Sequence, residues 1–258
     1  MNLLEAMEQR HAIRAYTDEP VDSATLSILQ AEITACNQES GLHIQMASGM
    51  DDAFLGLKTH YGRFVGVHNA IALIGRSDSA ETAAKESGAA AAETGWVKAE
   101  AADKAADDPG EIALEEKVGY YGERLTLRLV QLGLETSWAV LDDAGEASEP
   151  WWQLMPGEKI VWVLAFGHGA RPGGRRRTKP MEELCRVPAD APMPDWFRAG
   201  MEAAMLAPTS LSQQPFLFTL HEDGTVSTET TEGLFAHVGL GCAKLHFEIG
   251  AGRIVTWR

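Results

Sequence analysis

Apolar residues recur at helical spacing in several stretches of this chain and form short continuous runs between them. Residues 3–9 begin the pattern, with Leu3, Leu4 and Met7 apolar, and read as a short helix. A second helix is expected over about 23–36, capped by Asp22 or Ser23 after the turn Asp18–Asp22. Residues 41–47 read as a strand with Leu42, Ile44 and Met46 on one face, and 51–58 as a short helix. Asn69–Gly75 and Lys159–Gly167 are nearly unbroken apolar runs, which is how central strands read. The strongest helical signal is Glu111–Leu134, where Leu114, Val118, Tyr121, Leu125, Leu129 and Leu132 recur every three or four residues. Gly133 closes that helix, and Thr136–Leu141 follows as a short extended piece. Trp196–Leu206 is the next helix, stopped near Pro208, and Phe216–Leu220 the next strand.

Between the elements lie two basic segments and one low-complexity stretch. Arg10 and Arg14 fall in an extended segment after the first helix, so they project to one side. Two guanidiniums facing one side suit a phosphate; the alternative is pairing with local carboxylates such as Glu5 or Asp18. Residues 169–180 form a basic loop rich in Gly and Arg. Residues 77–110 are rich in Ala, Glu, Asp and Lys, and read as a mobile helical insertion or a disordered one, solvated or lying over a site. Ala207–Phe216 runs from helix through a Pro-Thr-Ser turn into a strand, which is either an ordinary connection or one rim of a ligand site.

Composition narrows the classes. A net charge of −15 argues against nucleic acid or an anionic membrane surface as partners, so the two basic clusters serve either a small anion or solvent. No apolar run approaches the roughly 18 residues that span a bilayer, and the start of the chain does not read as a signal peptide. Cys36, Cys185 and Cys242 are far apart with no CxxC pair, which points away from disulfides and zinc and toward a reducing, cytoplasmic compartment. The histidines show no ligand spacing, His246 reads as a hydrogen-bonded core residue of an apolar helix, and no G-x-S-x-G elbow is present.

The last third echoes the first. Residues 29–35 lead through a polar loop to a strand at 42, and 201–207 lead through another to a strand at 216. Gly122–Trp138 is echoed by Gly241–Trp257: each is an apolar helix ending at a glycine (Gly133, Gly250), followed by a segment reaching a tryptophan. Such an echo predicts a pseudo-twofold repeat within one chain, with residues 1–180 as the first half and 181–258 as a shorter second half.

Three segments resemble the FMN-dependent nitroreductase family. Glu8–Tyr16 is similar to its N-terminal Arg-Arg-Ser-Ile-Arg-x-Phe, Ala207–Phe216 to its Ala-Pro-Ser-Ser-x-Asn-x-Gln-Pro-Trp, and Gly122–Trp138 to its long helix with the following Leu-Gly-Leu-Gly-Thr-Cys-Trp. The Pro-Ser-Ser motif usually follows the Arg motif closely, whereas here it sits near the C-terminus. That order resembles a branch whose single chain imitates the usual dimer. The resemblance implies an α+β fold with a central, mostly antiparallel sheet flanked by helices. It also implies that arginines and Pro-Thr-Ser turn, normally brought by two subunits, meet in one pocket.

Carried over residue by residue, it places FMN phosphate at Arg10, His11, Ala12 and Arg14, and at the late pair Arg175 and Arg177. His60 and Arg63 are implied near the flavin, Trp138, Ala139, Val140 and Leu141 along its ring, and Pro208, Thr209, Ser210 and Ser212 across the pseudo-interface. Ala12 stands where the family has serine, and Ser212 where asparagine is common. The implied activity is hydride transfer from NAD(P)H through the flavin to a small-molecule electron acceptor. The protein would be a monomeric pseudo-dimer or a homodimer. No side-chain acid or base is required of such chemistry. The alternatives are an FMN- or nucleotide-binding protein without turnover, and a structural or interaction protein.

Overall fold

The computed structural model describes residues 1–77, 108–174, 176–189 and 192–258, with the side chain of Glu146 left aside. Most of the 77–110 stretch, from 78 to 107, and Arg175 lie outside the described residues.

Helix α1 (Leu3–Gln9) starts at a reciprocal cap, Asn2 accepting from the Glu5 amide and Glu5 from the Asn2 amide. Helix α2 spans Ser23–Ser40, with Asp22 accepting from the Thr25 amide. It runs one turn past its expected end, and Gly41, left-handed at φ 72°, is its cap. The strand expected from Gly41 therefore shrinks to β1 (Gln45–Ala47). Asn37 is the reason: its side chain accepts from the Ile44 amide at 2.7 Å and donates to the Ile44 carbonyl at 2.9 Å. Both groups are thereby withheld from a sheet. No helix forms over 51–58. Asp52 accepts from the amides of Phe54 and Gly56, and Leu55 and Gly56 are left-handed, so the segment closes as turns.

Strands β2 (Asn69–Gly75), β3 (Glu135–Ala139) and β4 (Lys159–Gly167) join β1 in an antiparallel sheet of order β1-β2-β4-β3. Every residue of β2 is buried, as its apolar run requires. One face of the sheet packs on α2 and α3 (Pro109–Gln131), through Leu29, Ile33, Ile71, Leu125 and Leu164 among others. The other is covered by Phe54, Trp152 and Leu141. Pro109 is the first residue of α3, behind the Asp108 cap.

The rest of the chain builds a second layer: β5 (Cys185–Arg186), helix α4 (Asp195–Ala204), β6 (Phe216–Leu220), β7 (Val226–Thr230) and helix α5 (Ala236–Ala251). Strand β6 pairs parallel with β5 and antiparallel with β7. Its core is aromatic, with Phe197, Phe218, Phe247 and Trp257 in mutual contact or nearly so.

The two layers meet where α3 crosses α5, and the contact there is locally two-fold. A Cβ on Gly119 would lie 2.1 Å from the Val238 carbonyl oxygen, and one on Gly241 would lie 2.0 Å from the Glu116 carbonyl oxygen. Each glycine thus meets the carbonyl three residues before the other glycine. The crossing pairs Gly241 with Gly119, one turn away from the Gly122 that the sequence echo aligns with it. The cap of α5 is Gly252, left-handed at φ 60°, rather than Gly250, which lies within the helix against Ala199 and Ala203.

Gly119→Ala tests that crossing. Helix propensity alone would favour alanine by about 1 kcal/mol, but the backbone leaves no room for a methyl. We expect a net loss of about 2 kcal/mol or more in urea unfolding, in line with overpacked interiors. An unchanged or raised midpoint would mean the helices do not cross this closely.

Candidate functional site

One cleft lies between the two layers. It holds a cavity of about 130 Å³ within a hollow of about 810 Å³ counted out to its open mouth. One wall is the extended segment after α1, which presents Arg10, Ala12 and Arg14. That segment is held straight by the Ile13 amide donating to the Thr136 carbonyl at 2.9 Å and the Tyr16 amide donating to Val65 at 3.0 Å. Ile13 and Tyr16 are buried beneath it, and burial raises the Tyr16 hydroxyl pKa far above the ordinary value. The second wall is β3 and its continuation, Ser137 to Val140. The third comes from the far end of the chain: Pro208–Leu211 and the start of α5, with Phe235, Val238, Gly239 and Cys242.

Aromatic rings line the cleft in an edge-to-face chain. Tyr61 meets Phe235 at 6.2 Å between centroids, Phe235 meets Trp162 at 4.9 Å, and Trp162 meets Trp138 at 5.8 Å. The Pro-Thr-Ser rim is held under backbone strain. Leu211, Ser212, Gln214 and Phe235 all adopt left-handed φ between 46° and 56°, a conformation that side chains with a Cβ disfavour. Gln214 keeps the rim in place. Its amide donates to Thr209 Oγ1 at 3.0 Å, its side-chain nitrogen to the Met205 carbonyl, and its side-chain oxygen accepts from the Lys179 amide. Thr209 Oγ1, already accepting there, has its own hydrogen left to donate.

The cleft is electropositive. Among the described residues that line it there is no carboxylate. Arg10 is nearly buried, with Nε 3.6 Å from Glu123 Oε1 behind the wall. Arg176 donates to the Met7 and Arg10 carbonyls from the rear. Burial, then the Arg10 charge, lowers the Arg176 pKa. His11 is pushed below its ordinary value by partial burial first and then by Arg176 and Arg10. Cys242 is no nucleophile: burial holds its thiol far above the ordinary range, and Sγ donates to the Gly119 carbonyl at 3.3 Å. Among the described residues no cluster of His, Cys, Asp or Glu could hold a metal ion.

Of the residues expected from sequence, Arg10, Ala12, Arg14, Trp138, Ala139, Val140, Pro208, Thr209 and Ser210 stand together in this cleft. His11 faces a neighbouring hollow with Gln9, Arg171 and Gly173, where only a glycine lets the basic loop approach its side chain. His60 lies behind Tyr61, edge-on to it at 4.4 Å, with Nδ1 3.3 Å from Asp142. Leu141 is buried under the opposite face of the sheet. Arg63 lines outer hollows instead, Arg177 is exposed in the basic loop, and Ser212 is exposed beyond the rim. Arg175 is outside the described residues. Tyr61, Trp162, Phe235, Val238, Gly239 and Cys242 line the cleft without having been expected there, and so does Ser137, from within the motif that ends at Trp138. Phe235 had one usable signal: it precedes the helix whose glycines the echo picks out.

A family model described as "Putative TM nitroreductase" matches residues 2–87 and 104–251. The fold is similar to a Thermotoga maritima protein described as a "putative nitroreductase", at a TM-score of 0.54 and 15% identity, covering 97% of this chain and 83% of that one. It is also similar to a nitroreductase family protein from Streptococcus pneumoniae, at 0.50 and 18%, covering 71% of this chain and 98% of that one. A Desulfovibrio desulfuricans protein described as a nitroreductase in complex with FMN is 22% identical, at a TM-score of 0.48, covering 75% of this chain and 99% of that one. The comparison with curated proteins returned no match.

The burial of His11 and the positive field around it are measurable together by histidine NMR. His11 should titrate below the reference value of 6.5, and His68, raised first by its bond to the Met50 carbonyl and then, after a smaller opposing effect of burial, by Asp18, should titrate above it. Because the folded value of His11 is depressed, its contribution disfavours the folded state as pH falls below 6.5, and His11→Gln should flatten stability there. His68 has the opposite sign. A His11 that titrates above His68 would contradict the charge arrangement.

Proposed function

This chain belongs to the nitroreductase family whose model matches residues 2–87 and 104–251, and from that membership we propose that it is an FMN-dependent oxidoreductase with one flavin cleft per chain. The reductant is NAD(P)H and the oxidant a small-molecule electron acceptor. The observation that supports this most is spatial. Arg10 and Arg14 share one cleft with Pro208–Ser210, although the segments come from opposite ends of the chain.

The residues present fit the cofactor. Ser137 Oγ is buried at the cleft with no hydrogen-bond partner, and buried polar atoms are seldom left so. A flavin offers an oxygen acceptor for it. The aromatic walls suit a planar ring. FMN, when bound, supplies the two-electron redox chemistry.

The chain supplies the rest. Arg10 and Arg14 bind the anionic end of the ligand. The Thr209 hydroxyl donates into the cleft from the opposite rim. Trp138, Trp162 and Phe235 exclude water from one side, which leaves one open mouth that reductant and acceptor use in turn. Among the described lining residues, none is assigned an acid or base role. The three cysteines are free and buried, which suits a reducing, cytoplasmic setting, and among the described residues no helix is long and apolar enough to cross a membrane.

A second reading, flavin binding without turnover, is favoured by two departures from the family motif: Ala12 offers no hydroxyl, and Ser212 is exposed beyond the rim. Anaerobic titration separates the two. The purified protein should be yellow, or become so with FMN, and NADH or NADPH should bleach it. Bound FMN that neither reductant bleaches would establish the second reading, and protein that takes up no FMN would sink both. Arg14→Ala should weaken FMN binding by about tenfold or more, the worth of one charged hydrogen bond, without changing the unfolding midpoint, since Arg14 is exposed.

A further inference from the structure

We propose that Glu123 is the positioning residue of this cleft: from inside α3 it holds Arg10 in the wall as a cation available to the phosphate of FMN. The proposal rests on the flavin reading above.

Glu123 is fully buried. A carboxylate in the interior is tolerated only when charged or hydrogen-bonding groups surround it. Three do. His246 Nε2 is 2.9 Å from Oε1, Trp138 Nε1 donates to Oε2 at 3.3 Å, and Arg10 Nε is 3.6 Å from Oε1. Two of those partners, Arg10 and Trp138, are cleft walls. The third is anchored elsewhere, since His246 Nδ1 lies 3.1 Å from the Ala203 carbonyl. A carbonyl can only accept, so Nδ1 carries a hydrogen, and a single further proton lies between Nε2 and Oε1. Whichever atom holds that proton, Arg10, Glu123 and His246 together bear one net positive charge.

Among the described residues, no further carboxylate ion-pairs with this group. Glu123 is the one ion-pair partner of Arg10 among the described residues. Arg176, behind it, adds a second guanidinium, and its Nε, like that of Arg10, is buried without a hydrogen bond. His11, the next residue, is held below its ordinary pKa first by burial and then by Arg176 and Arg10. The pair geometry fits a positioning role: at 3.6 Å Glu123 restrains Arg10 without saturating it. A dianionic phosphate in the cleft supplies the missing charge. The neutral ring end of the ligand does not, so Glu123 should matter to the phosphate more than to the ring.

That difference is the test. FMN and riboflavin differ by the phosphate alone, and the dissociation constant of each is read from flavin fluorescence on the wild type, Glu123→Gln, Arg10→Ala and the double variant. In the wild type FMN should bind at least about tenfold tighter than riboflavin. Glu123→Gln should shrink that ratio severalfold, Arg10→Ala likewise, and the double variant should be no worse than Arg10→Ala, because both remove one device. Equal weakening of both flavins, or an unchanged ratio, would reduce Glu123 to a packing residue and overturn the proposal. If Glu123→Gln does not fold, Glu123→Asp keeps the charge but draws the carboxylate back by one methylene, and the same two outcomes decide. Wild-type protein that binds neither flavin is the distinct failure of the flavin reading, and the proposal falls with it.

Discussion

The close approach of α3 and α5 at Gly119 and Gly241 is the contact on which the rest of the structure depends. Backbone meets backbone there, with each glycine against a carbonyl of the facing helix. Side chains at those positions would push the layers apart. With them would go the register that sets Phe235, Val238 and Gly239 against β3 and the arginine segment. The Pro-Thr-Ser rim follows from the same approach. Thr209 packs on Gly239, where a Cβ would lie 3.2 Å from its methyl group. The cleft is therefore a by-product of how two helices cross, and its walls inherit their spacing from that crossing.

Charge is organised by the same geometry. The chain as a whole is strongly acidic, yet the cleft collects guanidiniums and lacks a carboxylate among its described walls. Among the described residues, the acid that pairs with Arg10 does so from behind, through α3, and is shared with a histidine of α5. The helix pair that sets the width of the site thus also sets its electrostatics. Strain is concentrated on the opposite rim, in Leu211, Ser212, Gln214 and Phe235. Native packing usually tolerates such conformations only where they place something.

Much of this was legible in the residues. The apolar runs at 69–75 and 159–167 could only be interior strands, and the alternation of Arg10, Ala12 and Arg14 put those three on one wall. The echo that aligns Gly241 with Gly122 did not give the register of the crossing, where Gly241 and Gly119 meet the facing backbone. Other features were hidden for physical reasons. Asn37 and Asp52 each use a side chain to replace backbone pairing, which no periodicity records. In the run Arg175–Arg177, the family resemblance points to the outer two, but it is Arg176 whose guanidinium reaches the Met7 and Arg10 carbonyls. Glu123 sits among the apolar positions of α3 and reads as an ordinary interruption. Its meaning depends on partners at 10, 138 and 246, which only the fold brings together.

The single-chain cleft has a consequence for dilution. A site shared by two subunits exists only while they remain associated, so its population falls with protein concentration. Here the arginines and the Pro-Thr-Ser rim are tethered by one backbone, and their encounter is unimolecular. The effective concentration of one wall at the other is fixed by the helix crossing. A cell could hold this protein at a handful of copies and every folded copy would carry an assembled cleft.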